Sequence, residues 1–179
     1  GDKLLGGPQC GILVGTREVI DRVRANPLFR ALRVDKLTYA ALEATLLAYL
    51  CSREETIPVV AMLRLPAEDI RRRCEQCAKA LRSEQVSAEV IPTRSLVGGG
   101  TTPGASLPSF ALALRHAAMN EDALAALLRS LDPPVMARTH QGRVLLDLRT
   151  IPAQEDAAVT TLLQKAFRNS IIIETDERP

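Results

Sequence analysis

The sequence predicts an α/β fold that ends in a smaller α+β domain, and three observations point there. Ile12-Leu13-Val14, set between Gly11 and Gly15, reads as a buried strand with a helical pattern directly behind it. A long helix-forming stretch starts at Asp35. After Ser83 the chain changes to short apolar strands punctuated by two amphipathic helices. Its 179 residues suffice for one domain or a domain with a smaller neighbour. With 46% hydrophobic, 25% charged and 3% aromatic residues, the core is aliphatic, and disorder and collagen-like repeats are excluded.

Taken in order, Thr16 offers an N-cap to a short helix carrying Val19, Ile20 and Val23, which Asn26-Pro27 must end because proline disfavours helix at the residue before it. The next helix spans Asp35 to about Ser52, with Leu37, Ala41, Ala44, Leu47, Ala48 and Cys51 on one stripe, long enough to link two domains. Pro58 and Pro66 bracket the apolar stretch Val59 to Leu65. The boundary between two units is expected here, dividing the chain into 1–57 and 58–179. Pro66 opens a helix to about Leu81 with Glu68 and Asp69 in its first turn, where acids favour the helix dipole. Short strands follow at Ala88 to Ile91, Ser95 to Val97 and Phe110 to Leu114, then a hairpin of Val135 to Thr139 with Arg143 to Leu148 across His140-Gln141-Gly142. Glu121 to Leu131, capped by Asn120, and Glu155 to about Arg168 supply the covering helices.

Much chemistry is excluded by pattern. A net charge of +2 is far from the basic excess of a dedicated nucleic-acid surface. No signal-peptide pattern or membrane-length apolar run is present, so a reducing cytoplasm is the expected compartment. Cys74 and Cys77 have redox or zinc spacing, but no second cysteine or histidine pair accompanies them, and His116 and His140 are solitary. Ile70, Cys74, Cys77 and Leu81 instead share one helix face, which makes them buried packing. Arg71-Arg72-Arg73 reads as a salt-bridged, solvated face among Glu68, Asp69, Glu75 and Glu84. The loops around Gly6-Gly7 and Gly98-Gly99-Gly100 match no phosphate-binding motif, and the second reads as a conformational turn.

Lys3 stands before Leu4-Leu5-Gly6-Gly7, where its stem can lie in an apolar pocket against a closely approaching backbone, as a Schiff-base lysine requires. On local pattern alone a solvated surface charge remains the commoner reading. The segment Gly1-Asp2-Lys3-Leu4-Leu5-Gly6-Gly7-Pro8-Gln9-Cys10-Gly11-Ile12-Leu13-Val14-Gly15 resembles the cofactor-lysine loop of bacterial selenocysteine synthases, the L-seryl-tRNA(Sec) selenium transferases. Further blocks resemble the same family in the same order: Arg30 to Thr38 leading into Ala41 to Leu46, Val97 to Gly100 with Ser106 to Ser109, Asp132 to Val135, and Arg143 to Thr150. Cys10 departs from it, since the family usually carries alanine there.

The resemblance implies the C-terminal part of a pyridoxal-phosphate enzyme of the aspartate-aminotransferase type: the end of the large domain, a linking helix and a small α+β domain. It implies Lys3 as the catalytic, cofactor-binding lysine and pyridoxal 5'-phosphate as cofactor. The reaction implied converts seryl-tRNA(Sec) to selenocysteinyl-tRNA(Sec) with selenophosphate, through an aminoacrylyl intermediate. It also implies a homo-oligomer and no membrane attachment. The main tRNA contacts would lie outside this chain, which is then a fragment beginning in an active-site loop and inactive alone. Residues 16 to 36 carry six basic against three acidic side chains, and Arg30 and Arg33, read as a loop before a helix, match positions implicated in holding the selenium-donor anion. Pairing with Asp35 or neighbouring acids is their alternative. A seryl ester has no free carboxylate, so Arg149 is expected to be structural and to pair with Asp147. The alternatives are a related lyase acting on a free amino acid, for which Arg149 would be essential, and a non-catalytic assembly domain.

Overall fold

The computed structural model describes residues 1–97 and 104–176, the last eight of these by their backbone only. The fold is α/β with one small antiparallel sheet, and the chain divides into two compact units, the first ending at Arg64 and the second starting at Leu65.

The first unit opens with a turn-rich loop and continues through helices α1 (Arg17–Ala25), α2 (Pro27–Ala31), α3 (Lys36–Leu50) and α4 (Pro58–Arg64). Asn26 both ends α1 and caps α2, its side chain accepting from the Leu28 amide at 2.9 Å. Asp35 caps α3 in the same way, accepting from the Thr38 amide at 2.8 Å. Two expectations fail here. Ile12-Leu13-Val14 is not a strand but exposed, irregular backbone, because no described strand pairs with it and an apolar tripeptide makes a strand only where a neighbour supplies ladder partners. The inward face of α3 is also not the predicted stripe. Thr38, Leu42, Thr45, Ala48 and Tyr49 are buried or half-buried while Leu37 is 82% exposed, since apolar residues ring this helix and leave its pattern without a preferred face.

The second unit packs α5 (Ala67–Leu81), α6 (Glu121–Arg129) and α7 (Asp156–Asp176) with a sheet of β1 (Val86–Leu96), β2 (Ser106–His116), β3 (Arg138–His140) and β4 (Arg143–Leu146) in the order β1-β2-β4-β3. Its core draws Ile70, Cys74, Cys77 and Leu81 from α5, as the periodicity requires, and sets them with Leu112 and Leu114 of β2, Val144 and Leu146 of β4, and Leu124 and Leu128 of α6. Each such side chain taken fully from water contributes roughly 2 kcal/mol before the entropy of ordering it is subtracted. β1 and β2 are longer than the short strands predicted, pairing in unbroken register from Val86 opposite His116 to Leu96 opposite Ser106. Pro92 is tolerated inside β1 because this is an edge strand, and Pro108 lies beyond the part of β2 that pairs with β4. The hairpin forms about Gln141 and Gly142, both at positive φ, which suits a tight two-residue turn, but its first strand is only Arg138–His140, and Val135 lies buried outside it. Asn120 caps α6 by accepting from the Ala123 amide at 2.9 Å. The Gly98 to Gly100 turn lies outside the described residues.

Candidate active site

Lys3 sits in a loop whose backbone is fixed from several sides. The carbonyl of Gly1 accepts from the amides of Leu5 and Gly7 at 3.1 and 3.2 Å, and the amino group of Gly1 donates to the Cys10 carbonyl at 2.8 Å. Tyr49 on α3 donates its hydroxyl to the Leu5 carbonyl at 3.1 Å. Both loop glycines are sterically required. Gly6 has a φ of +71°, and a Cβ there would lie 2.3 Å from Val59 Cγ1 on α4. At Gly7 a Cβ would lie 2.6 Å from Thr45 Oγ1 on α3. The close backbone approach read from the sequence is therefore present, but Lys3 itself is not sunk in an apolar pocket. Its side chain is 65% exposed, with Nζ 3.5 Å from the Asp2 carboxylate.

Arg30 lies in the last turn of α2 rather than in a loop, and Arg33 follows in the connection to α3. Proline at the first position of α2 and the Asn26 cap make the helix that the expectation of a loop missed. Both arginines are exposed, and neither forms an ion pair among the described residues. The alternative partner Asp35 is engaged by the Thr38 amide and hydroxyl, which hold its carboxyl below the usual carboxylate range.

In the second unit, Arg149 is 4% exposed and donates to the carbonyls of Leu65 at 2.9 Å and Pro108 at 2.8 Å. Its structural role holds, but the expected side-chain pairing with Asp147 is replaced by a bond from its backbone amide, at 3.0 Å. Asp147 accepts as well from the hydroxyls of Ser95 and Ser109, tying the end of β1 and the middle of β2 to the turn after β4. Arg71 and Arg72 form the expected solvated pairs, with Glu75 and Glu68 and with Asp69. Arg73 instead turns inward to Asp156, at 2.7 Å, and to the Ile151 carbonyl. Burial pushes the Cys74 thiol up to about 12 and raises that of Cys77, the opposite of an activated cysteine. Among the described residues no cluster of His, Cys, Asp or Glu could hold a metal ion, and no helix is long and apolar enough to cross a membrane. His140 is exposed in its turn.

The roles of Tyr49, Thr45 and Val59 escaped the sequence reading. Tyr49 alone left a signal, a hydroxyl in an otherwise aliphatic helix end that needs a hydrogen-bond partner when buried.

Residues 1–152 match the family described as L-seryl-tRNA selenium transferase. Similar curated proteins, each called L-seryl-tRNA(Sec) selenium transferase, include those of Aquifex aeolicus, 37% identical over 166 residues and 92% of this chain, and Moorella thermoacetica, 41% identical over 176 residues and 96% of it. The protein of Wolinella succinogenes is 43% identical over 169 residues, 93% of the chain. The chain spans 37% of the length of each of these relatives. With the Lys3 loop, Arg30, Arg33 and most of both units inside the matched region, the chain belongs to the L-seryl-tRNA selenium transferase family.

Proposed function

We propose that this chain carries the lysine loop and the donor-anion arginines of an enzyme that converts seryl-tRNA(Sec) to selenocysteinyl-tRNA(Sec) with selenophosphate and pyridoxal 5'-phosphate. The fold would be that of the aspartate-aminotransferase type, with 1–57 as the end of the large domain plus linking helix and 58–179 as the small domain. Seryl-tRNA(Sec) would be gripped mainly outside this chain, and the intact enzyme would be a homo-oligomer.

The observation that carries the reading is the Lys3 loop. Its main chain is held by Tyr49 and by glycines packed so closely on α3 and α4 that a Cβ would clash, while the Lys3 amine itself is exposed beside Asp2 rather than desolvated. Lys3 is the residue of this loop that would hold a carbonyl cofactor covalently. The chemistry supplied by pyridoxal phosphate when bound is an electron sink for loss of the seryl hydroxyl. Arg30 and Arg33, exposed and outside any ion pair among the described residues, offer guanidinium forks to a phosphate-like oxyanion. The burial of Arg149 on two carbonyls favours an ester substrate over a free amino acid, whose carboxylate would need a reachable arginine.

The test uses the intact enzyme. Borohydride reduction followed by peptide mapping should fix the cofactor on Lys3, and Lys3→Ala should lose it; cofactor trapped on another lysine overturns the assignment. Arg30→Ala with Arg33→Ala should raise KM for selenophosphate and spare cofactor absorbance. Unchanged donor kinetics would remove them from the anion site.

A further inference from the structure

The sheet of the second unit has two unlike faces. Its helices pack on the side of Leu112, Leu114, Val144 and Leu146, so the alternate residues of the same strands point the other way. The buried cluster on that second face is Ala111, Ala113 and Leu145 with half-buried Ile91, strand residues only. Register sets Glu89, Ala113, Leu145 and Arg138 in one row across all four strands, and Arg115 and Arg143 stand two residues on, in the next row.

Three guanidinium groups therefore share a face whose centre is small side chains. Arg143 reaches Glu89 at 3.4 Å. Arg138 donates to the Thr93 hydroxyl, and neither it nor Arg115, both exposed, forms an ion pair among the described residues. The other nearby acids do not neutralise them: Asp147 is taken up by Ser95, Ser109 and the Arg149 amide, and Glu121, beside Gly142, pairs with none of the three. Guanidinium forks suit phosphate oxygens, and the alanines let a backbone approach closely. The only Phe or Tyr in the four strands, Phe110, packs on the core side, so the outer face has no platform on which an unpaired base could stack. Such a surface reads phosphates and not base identity. We propose that this sheet face is an auxiliary grip on the phosphate backbone of a helical arm of the RNA substrate. It rests on the reading that the intact enzyme acts on a tRNA, and it adds a contact apart from Lys3, Arg30 and Arg33.

The test measures binding, not turnover: fluorescence anisotropy of tRNA(Sec) with the intact enzyme across a potassium chloride series. Arg115→Gln and Arg138→Gln should each weaken binding roughly three-fold or more and reduce the slope of log affinity against log salt by about one, as loss of one phosphate contact does. Glu89→Gln, which removes an acid from the face, should strengthen binding. Arg72→Gln on α5, whose partner is Asp69, is the control and should leave the slope unchanged. Unchanged slopes in both arginine variants overturn the proposal, as does an equal loss in the control. Binding of polyglutamate with the same variant sensitivity, while tRNA binding is indifferent to the variants, would reassign the face to an acidic protein and overturn it too. An intact enzyme that does not bind tRNA(Sec) at all would sink the substrate reading itself, whereas tight binding indifferent to Arg115 and Arg138 sinks only the sheet-face grip.

Discussion

The hydroxyl of Tyr49 and the carbonyl of Leu5 meet at 3.1 Å across 44 residues of sequence, so the loop bearing Lys3 hangs from the C-terminal part of α3. Tyr49→Phe keeps the ring and removes only the donor. A bond of this kind contributes about 1 kcal/mol net. Native-state hydrogen exchange at the amides of Leu5 and Gly7 should therefore accelerate about five-fold, with amides of the second unit unchanged.

The glycines of the same loop should not be equivalent under substitution. Gly6→Ala meets both a positive φ and Val59, and should lower the stability of the first unit by about 2 kcal/mol or more. Gly11 has open space where a Cβ would stand, so Gly11→Ala should stay within about 0.5 kcal/mol of the parent. Urea unfolding followed by the fluorescence of Tyr39 and Tyr49 separates the two.

Arg149, 4% exposed, donates to the carbonyls of Leu65 and Pro108. Arg149→Ala should destabilise the second unit by about 3 kcal/mol, and Arg149→Lys should recover only part, because an ammonium cannot reproduce the planar fork. Thermal unfolding of the three proteins checks the ranking.

Thiol chemistry should split the cysteines. At pH 8 a thiol reagent should modify exposed Cys51 at once and reach Cys74 and Cys77 only after unfolding. The folded chain keeps the Cys74 proton up to about 12, whereas the unfolded chain releases it near 9.0. Between these values the unfolded state binds fewer protons, so the contribution of Cys74 to stability is level below about pH 9 and falls as pH rises toward 12. Cys74→Ala should flatten that decline, measured by urea midpoints at stepped pH.

Local rules carried much of the fold. Asn120 announced its helix because a cap is a contact of three residues' span. The buried face of α5 was legible because its other side is charged, whereas α3 is apolar all round and only its neighbours select a face. Ile12 to Val14 misled because strand formation depends on a partner that local pattern cannot supply. In the site, Lys3 and its glycines stood out by composition and resemblance. The surfaces that make those glycines necessary, Thr45 and Val59, did not, since each lies more than thirty residues away along the chain.

Pro92 has a consequence for how the protein behaves at high concentration. A sheet with a free edge can recruit the edge of another molecule and grow into an aggregate. Here one rim is an eleven-residue strand missing an amide at Pro92 and bearing Glu89 and Arg94, and the other rim is three residues long. Neither offers the flat, unbroken ladder that such growth requires, so the second unit should resist fibril formation even when concentrated.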